Sequence, residues 1–133
     1  MKRAVCILAF NGNGLVLAVN RKNDASKWGL IGGKVDPGES SVDAAAREFY
    51  EETGVLISAD RLEPLYCAAC PGDEDFFCTT FMYTLPINPN IRFKPEPGLD
   101  VTFLVHTALT DRARSPFALY NIGVFAALNQ LES

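Results

Sequence analysis

The stretch from residue 40 to residue 54 constrains the fold more than any other part of this 133-residue chain. Ser40 or Ser41 stands at the N-cap of a helical pattern, Asp43 lies in its first turn, and Gly54 sits where a C′ glycine belongs, so the spacing predicts a helix ending at Thr53. On a 100° wheel Val42, Ala45, Ala46, Phe49 and Thr53 fall on one side, while Glu48, Glu51 and Glu52 cluster roughly opposite at spacings i, i+3 and i+4. A helix with one apolar face must lie on something, and the flanking sequence supplies strands. Residues 3–10 and 14–21 are β-prone and separated by Asn11-Gly12-Asn13-Gly14, a hairpin signal. A polar loop over 21–27 leads to a short strand at 28–31 and the glycine turn Gly32-Gly33. Further β-like stretches fall at about 55–58, 63–69, 76–85 and 99–105, broken by Pro71-Gly72-Asp73 and by the proline-bearing segment 86–98. Ser115-Pro116 reads as an N-cap and first helical residue, and Phe117, Tyr120, Val124, Ala127, Leu128 and Leu131 recur at helical spacing to give a terminal amphipathic helix. The expectation is an α/β fold: a mixed β-sheet in an α/β/α sandwich, one domain over residues 1–133.

Composition narrows the function. With 48% hydrophobic and 21% charged residues and no charge block or repeat, disorder, collagen and coiled coil are excluded. Twelve basic and sixteen acidic residues give a net charge of −4, which argues against a broad basic face for a nucleic-acid polymer and requires a counter-charge for any acidic substrate. The apolar run 4–10 is followed by Asn-Gly-Asn-Gly rather than a cleavage site, and no apolar run reaches the ~18 residues of a membrane span. The expected location is therefore cytoplasmic, with no membrane partner, a monomeric or homodimeric state, and Cys6, Cys67, Cys70 and Cys78 as thiols.

The acidic helix face carries the chemistry. Two carboxylates about 5.5 Å apart repel by about 3 kcal/mol at an effective dielectric near 20, and only Arg47 offsets them locally. A divalent cation resolves that conflict, and hard oxygen donors suit Mg²⁺, Mn²⁺ or Ca²⁺, with Mg²⁺ typically held by one or two carboxylates and retained waters. Upstream, Gly32-Gly33 at a strand end brings backbone close to this face, and Glu39 precedes the helix.

The full string is Gly33, five residues, Glu39, seven residues, then Arg47-Glu48-Phe49-Tyr50-Glu51-Glu52-Thr53-Gly54-Val55. It resembles the signature of the Nudix hydrolase family, G-x5-E-x7-R-E-U-x-E-E-x-G-U with U apolar, and every fixed slot is filled. The resemblance implies hydrolysis of a nucleoside diphosphate linked to another moiety, by water and divalent metal. It casts Glu48, Glu51 and Glu52 as metal ligands with the carbonyl of Gly32, Arg47 as the residue that orients a glutamate, and Glu39 as support for the loop–helix junction, with Gly33 and Gly54 as structural glycines of the motif. Metals that bridge phosphate oxygens neutralise developing charge and lower the pKa of an attacking water. The general base is a box glutamate or a carboxylate on a later loop, for which Glu96 is the first candidate and Asp100 the second. Ile31, where proline often precedes the two glycines, and Val101, where tryptophan is frequent, depart from the commoner family pattern.

The terminal helix is similar to that of MutT-type nucleoside triphosphatases, in which an asparagine reads a purine edge. Asn121 fills that slot, and an amide offers a donor and an acceptor together. The resemblance thus implies conversion of a (d)NTP or oxidised dGTP to NMP and pyrophosphate. ADP-ribose or a dinucleoside polyphosphate is the alternative substrate, to which Pro71, sixteen residues beyond Val55, points; a non-catalytic nucleotide-binding module is the alternative class. Trp28 and Phe81, with Phe76, Phe77 and Tyr83, are aromatic candidates for stacking on a base or for the core. Cys67-Ala-Ala-Cys70 has zinc or redox spacing but lacks a second close pair, and His106 ends an apolar strand as a core-edge or surface residue.

Overall fold

A computed structural model describes residues 2–86 and 91–132. The strands are β1 Lys2–Phe10, β2 Val16–Arg21, β3 Asp24–Lys34, β4 Glu63–Cys70, β5 Asp73–Thr84 and β6 Val101–Leu104, with helices α1 Ser41–Thr53, α2 His106–Leu109 and α3 Ala118–Glu132. The strands form one sheet in the order β4-β5-β1-β3-β2-β6. β1 runs parallel to β5 from Lys2↔Phe76 to Phe10↔Thr84, and the other pairings are antiparallel, so the sheet is mixed as its sequence implied.

Alternation along the strands creates two cores. Ile7, Leu17, Ile31 and Phe81 point to one face, where Ala44, Ala45 and Phe49 of α1 cover them. Leu8, Ala18, Leu30 and Cys78 point to the other, beneath Tyr120, Val124 and Phe125 of α3. The period of two along β1, β2 and β3 thus builds the helix–sheet–helix layering.

The N-cap of α1 is Ser40, whose hydroxyl accepts from the Asp43 amide at 3.2 Å. The helix ends at Gly54 in the left-handed region, φ 75°, with its amide donating to the Tyr50 carbonyl. Ser115 caps the approach to α3, its hydroxyl accepting from the Phe117 amide at 3.2 Å; the helix itself begins at Ala118.

Five expectations are revised. The first two strands are antiparallel and joined by the expected turn, which Asn11 closes by accepting from the Asn13 and Leu15 amides. They pair only at Phe10↔Val16, however, because β3 inserts between them. The polar segment 21–27 is not all loop: β3 starts at Asp24, where a two-residue turn satisfies the backbone of a hairpin that polar, exposed side chains can edge. Residues 55–58 form no strand; Ser58 instead caps the 3-10 turn Ala59–Arg61. Gly32 and Gly33 form no turn but pair with Cys6 and Val5 within β3, whose ladder continues to Lys34; a short helix, α2, follows β6. No described helix is long and apolar enough to cross a membrane.

Candidate active site

Arg47 organises the loop–helix junction. Its Nε donates to Glu39 Oε2 at 2.8 Å and its Nη2 to Glu39 Oε1 at 3.0 Å, a bidentate fork. Nη2 also donates to the Lys34 carbonyl at 3.0 Å, and Nη1 to Glu48 at 3.0 Å and Glu51 at 3.2 Å. Glu39 in turn accepts from the Asp36 amide, closing the loop between β3 and α1. The guanidinium holds the Glu39 carboxyl down at about 2, well below the usual carboxylate range.

Glu52 and Glu48 reach the end of β3 from α1. Glu52 is buried, 8% exposed, and its Oε1 accepts from the Gly32 amide at 3.1 Å. Burial pushes its carboxyl up to about 8, and neighbouring Glu48, Glu96 and Glu51 add to that. Burial also raises Glu48, against the pull of Arg47. A Cβ on Gly33 would collide with the carboxyl carbon and both oxygens of Glu48, so glycine there lets the carboxylate lie against the strand. Glu51 is exposed and turns toward Arg47.

These groups line a cavity of about 980 Å³ that is walled by residues from both faces of the sheet and by the segment 115–121. Gly32, Gly33, Glu48 and Glu52 line one part of it, and Phe76, Cys78, Tyr120 and Asn121 line another. Glu96 also faces it, delivered by a loop pinned at both ends. At one end the Lys94 amide donates to the Thr53 carbonyl at 2.7 Å. At the other, buried Asn20 accepts from the Asp100 amide at 2.8 Å through Oδ1, and its backbone N–H donates to the Asp100 carbonyl at 3.2 Å. Lys22 spans the mouth to Glu96 at 2.6 Å.

The structure thus brings together Gly32, Gly33, Glu39, Arg47, Glu48, Glu52 and Glu96, and places Glu51 at the solvent side of the same cluster. Asn121 is 1% exposed and lines the cavity, with its Nδ2 donating to the Leu109 carbonyl at 2.9 Å. Two candidates go elsewhere. Phe81 is buried in the core under α1 and forms no part of the cavity wall, because alternation along β5 turns it there. Trp28 packs against the other core, its amide donating to the Arg114 carbonyl, and forms no part of the cavity wall. Phe76 and Pro71 do line the cavity. Asp100 serves through its backbone, and His106 is exposed with its ring 5.4 Å from that of Phe125. All four cysteines are free, and Cys67 is exposed while Cys78 is buried. Sequence reasoning missed Asn20, although an asparagine ending the apolar run Val16–Val19 is the signal of a buried polar side chain with a fixed partner.

The donor set fits a hard divalent cation. Two half- or fully buried carboxylates with raised pKa values lie together, and Arg47 bonds Glu48 but not Glu52, so added positive charge between them is favoured. Among the described residues no three acidic, histidine or cysteine side chains already surround one point. Two carboxylates would leave the remaining positions to water and phosphate oxygens, the usual arrangement for Mg²⁺.

Comparison with known proteins places this geometry among relatives. The profile described as "NUDIX domain" matches residues 1–114. A Bacillus subtilis protein named "Putative 8-oxo-dGTP diphosphatase" is 50% identical over 48 residues, 36% of this chain and 32% of that protein. An RNA pyrophosphohydrolase of Bartonella clarridgeiae is 44% identical over 62 residues, 41% of this chain and 36% of the relative. The chain spans about a third of the length of the curated relatives it matches. The crystal structure of a MutT protein from Methanosarcina mazei Go1 superposes with a TM-score of 0.74 at 19% identity, covering 99% of this chain and 96% of that one, a likeness of fold.

Proposed function

We propose that this chain, which belongs to the NUDIX domain family, is a Mg²⁺-dependent diphosphatase that converts a (d)NTP or oxidised dGTP to NMP and pyrophosphate. The observation that carries this reading is the meeting of Glu48 and Glu52, fixed by Arg47, Gly32 and Gly33, on the wall of a cavity of about 980 Å³, a volume suited to a nucleotide. A bound Mg²⁺ or Mn²⁺ would supply charge neutralisation on the phosphate oxygens and an acidified water. Glu48, Glu52 and the Gly32 carbonyl would hold it, with Glu51 as the outer carboxylate. Glu96, which lines the same cavity as Glu52, takes the proton of the attacking water. Asn121 lines the cavity and is the candidate contact to the base, with its Nδ2 already donating to the Leu109 carbonyl.

Names of relatives support the substrate class. The Bacillus subtilis relative is named for 8-oxo-dGTP and the Bartonella clarridgeiae relative for RNA. ADP-ribose or a dinucleoside polyphosphate is the second reading, favoured by Pro71 on the cavity wall. A hydrolysis panel of dNTPs, 8-oxo-dGTP, ADP-ribose and diadenosine polyphosphates with Mg²⁺, products identified by mass, tests the proposal. Pyrophosphate released from a triphosphate is expected. AMP from ADP-ribose or a dinucleotide would replace the substrate, and no turnover of any compound would leave a binding module.

A further inference from the structure

The cavity of about 980 Å³ has a sulfur-bearing wall that the carboxylate chemistry leaves unused. Cys6 of β1, Cys70 at the end of β4 and Cys78 of β5 all line it. In the parallel register of β1 and β5, Cys6 stands opposite Thr80 and Ala4 opposite Cys78, so Cys6 and Cys78 take the same α3-side face on adjacent strands. Their sulfurs lie 3.9 Å apart. Cys67-Ala-Ala-Cys70, the pair with metal spacing along the chain, is divided by the sheet: Cys67 is exposed, 3.6 Å from Thr79 Oγ1, while Cys70 packs into the α3-side core.

A closed chain of hydrogen bonds fixes the Cys6–Cys78 pair. Tyr120 donates its hydroxyl proton to the Cys78 carbonyl at 3.2 Å, so in its 2.8 Å bond with Thr80 it accepts and Thr80 donates. Thr80 then accepts from the Cys6 thiol at 2.9 Å, and Cys6 accepts from the Cys78 thiol. The chain begins and ends at Cys78, and its middle members are buried, Thr80 fully and Tyr120 at 6% exposure. Hydrogen-bond partners of this kind hold ligand atoms in one direction.

The sulfur separation suits a metal ion better than a disulfide. Two thiolates on a tetrahedral ion with metal–sulfur distances of about 2.3 Å stand about 3.8 Å apart. A disulfide needs sulfurs at about 2.05 Å, and diagonal neighbours in a sheet lie about 7–8 Å apart at Cα, beyond the usual reach of that bond. Softness separates this pair from the α1 carboxylates, since thiolates select Zn²⁺ or Cd²⁺ where carboxylates select Mg²⁺ or Mn²⁺. The geometry points to a dithiol site, Cys6 with Cys78, that chelates one thiophilic divalent cation and leaves its other positions open to the cavity. Binding replaces two S–H bonds by two metal–sulfur bonds and releases two protons, and the Thr80 hydroxyl is placed to donate to the Cys6 thiolate. The site needs only these side chains and is independent of which nucleotide the cavity takes.

Cadmium titration of the reduced, metal-free protein in excess Mg²⁺ tests it, because cadmium–thiolate bonds give an ultraviolet charge-transfer band that carboxylates do not. One Cd²⁺ per chain and two released protons are expected. Cys6→Ser and Cys78→Ser should each weaken binding by about tenfold or more, with circular dichroism to confirm folding, and Cys67→Ser should match wild type. A second reading that leaves the buried pair intact is X-ray absorption at the zinc edge of Zn²⁺-loaded wild type and Cys67→Ser, in which sulfur neighbours are expected in both. No charge-transfer band, a band unchanged in Cys6→Ser or Cys78→Ser, or one lost in Cys67→Ser would overturn the site, as would a zinc shell of oxygen and nitrogen alone.

Discussion

Burial and ionisation oppose each other at Glu52, and this opposition makes its pH behaviour a direct test of its surroundings. Its carboxyl titrates near 4.5 when solvated and near 8 in the metal-free fold. The native state is therefore favoured by this group when it is protonated, and that contribution is lost as pH rises from about 4.5 to about 8. The melting temperature of the metal-free protein should fall across that window, and Glu52→Gln should flatten the fall; circular dichroism melts in EDTA at a series of pH values measure both. Glu39 has the opposite sign, since Arg47 holds it near 2, and its contribution is present above about 4.5 and lost as pH falls toward 2. The roles of Glu39 and Arg47 came from the family resemblance alone, and in the fold Arg47, eight residues on, reaches back over one loop to Glu39. The burial of Glu52 was not legible: a helical wheel places it with Glu48 and Glu51 on one acidic face, and only the approach of β3, through the Gly32 amide, divides that face into a buried and an exposed part.

The elements that hold the carboxylates depend on their ends. Gly54 adopts φ 75°, and a Cβ there would meet the Lys94 carbonyl oxygen at 2.8 Å, so Gly54→Ala combines backbone strain with a clash against the very loop that carries Glu96. It should destabilise the protein by more than about 1 kcal/mol, measurable by urea denaturation. Both ends of α1 were readable, because Ser40 and Gly54 act through local backbone geometry that one residue type satisfies. Residues 55–58 were not, since a short β-prone run needs a neighbouring strand to pair with, and after Gly54 the chain turns into the Ser58-capped 3-10 turn instead. The extent of β3 was hidden for the same reason: its polar first half is exposed on a hairpin arm, and its partner β2 lies across a two-residue turn.

At the scale of the molecule, the site is where three distant segments meet: the β3–α1 junction, the loop 94–100 and the start of α3. Asn20 ties the second of these to the sheet, so Asn20→Ala should cost about 1–2 kcal/mol and speed amide hydrogen exchange over residues 94–100 while leaving α1 protected. The two-faced sheet followed from alternation, but strand order did not, because period-two patterning says which face a residue takes and nothing about which strand lies beside it. Hence Phe76 and Phe81, both aromatic and on the same strand, divide between cavity and core. The role of α1 as a metal platform for diphosphatase chemistry is tested by the turnover of Glu52→Gln against wild type on the preferred triphosphate at saturating Mg²⁺. Its kcat should be lower by about a hundredfold or more with the fold intact; near wild-type turnover in that variant would refute the metal platform.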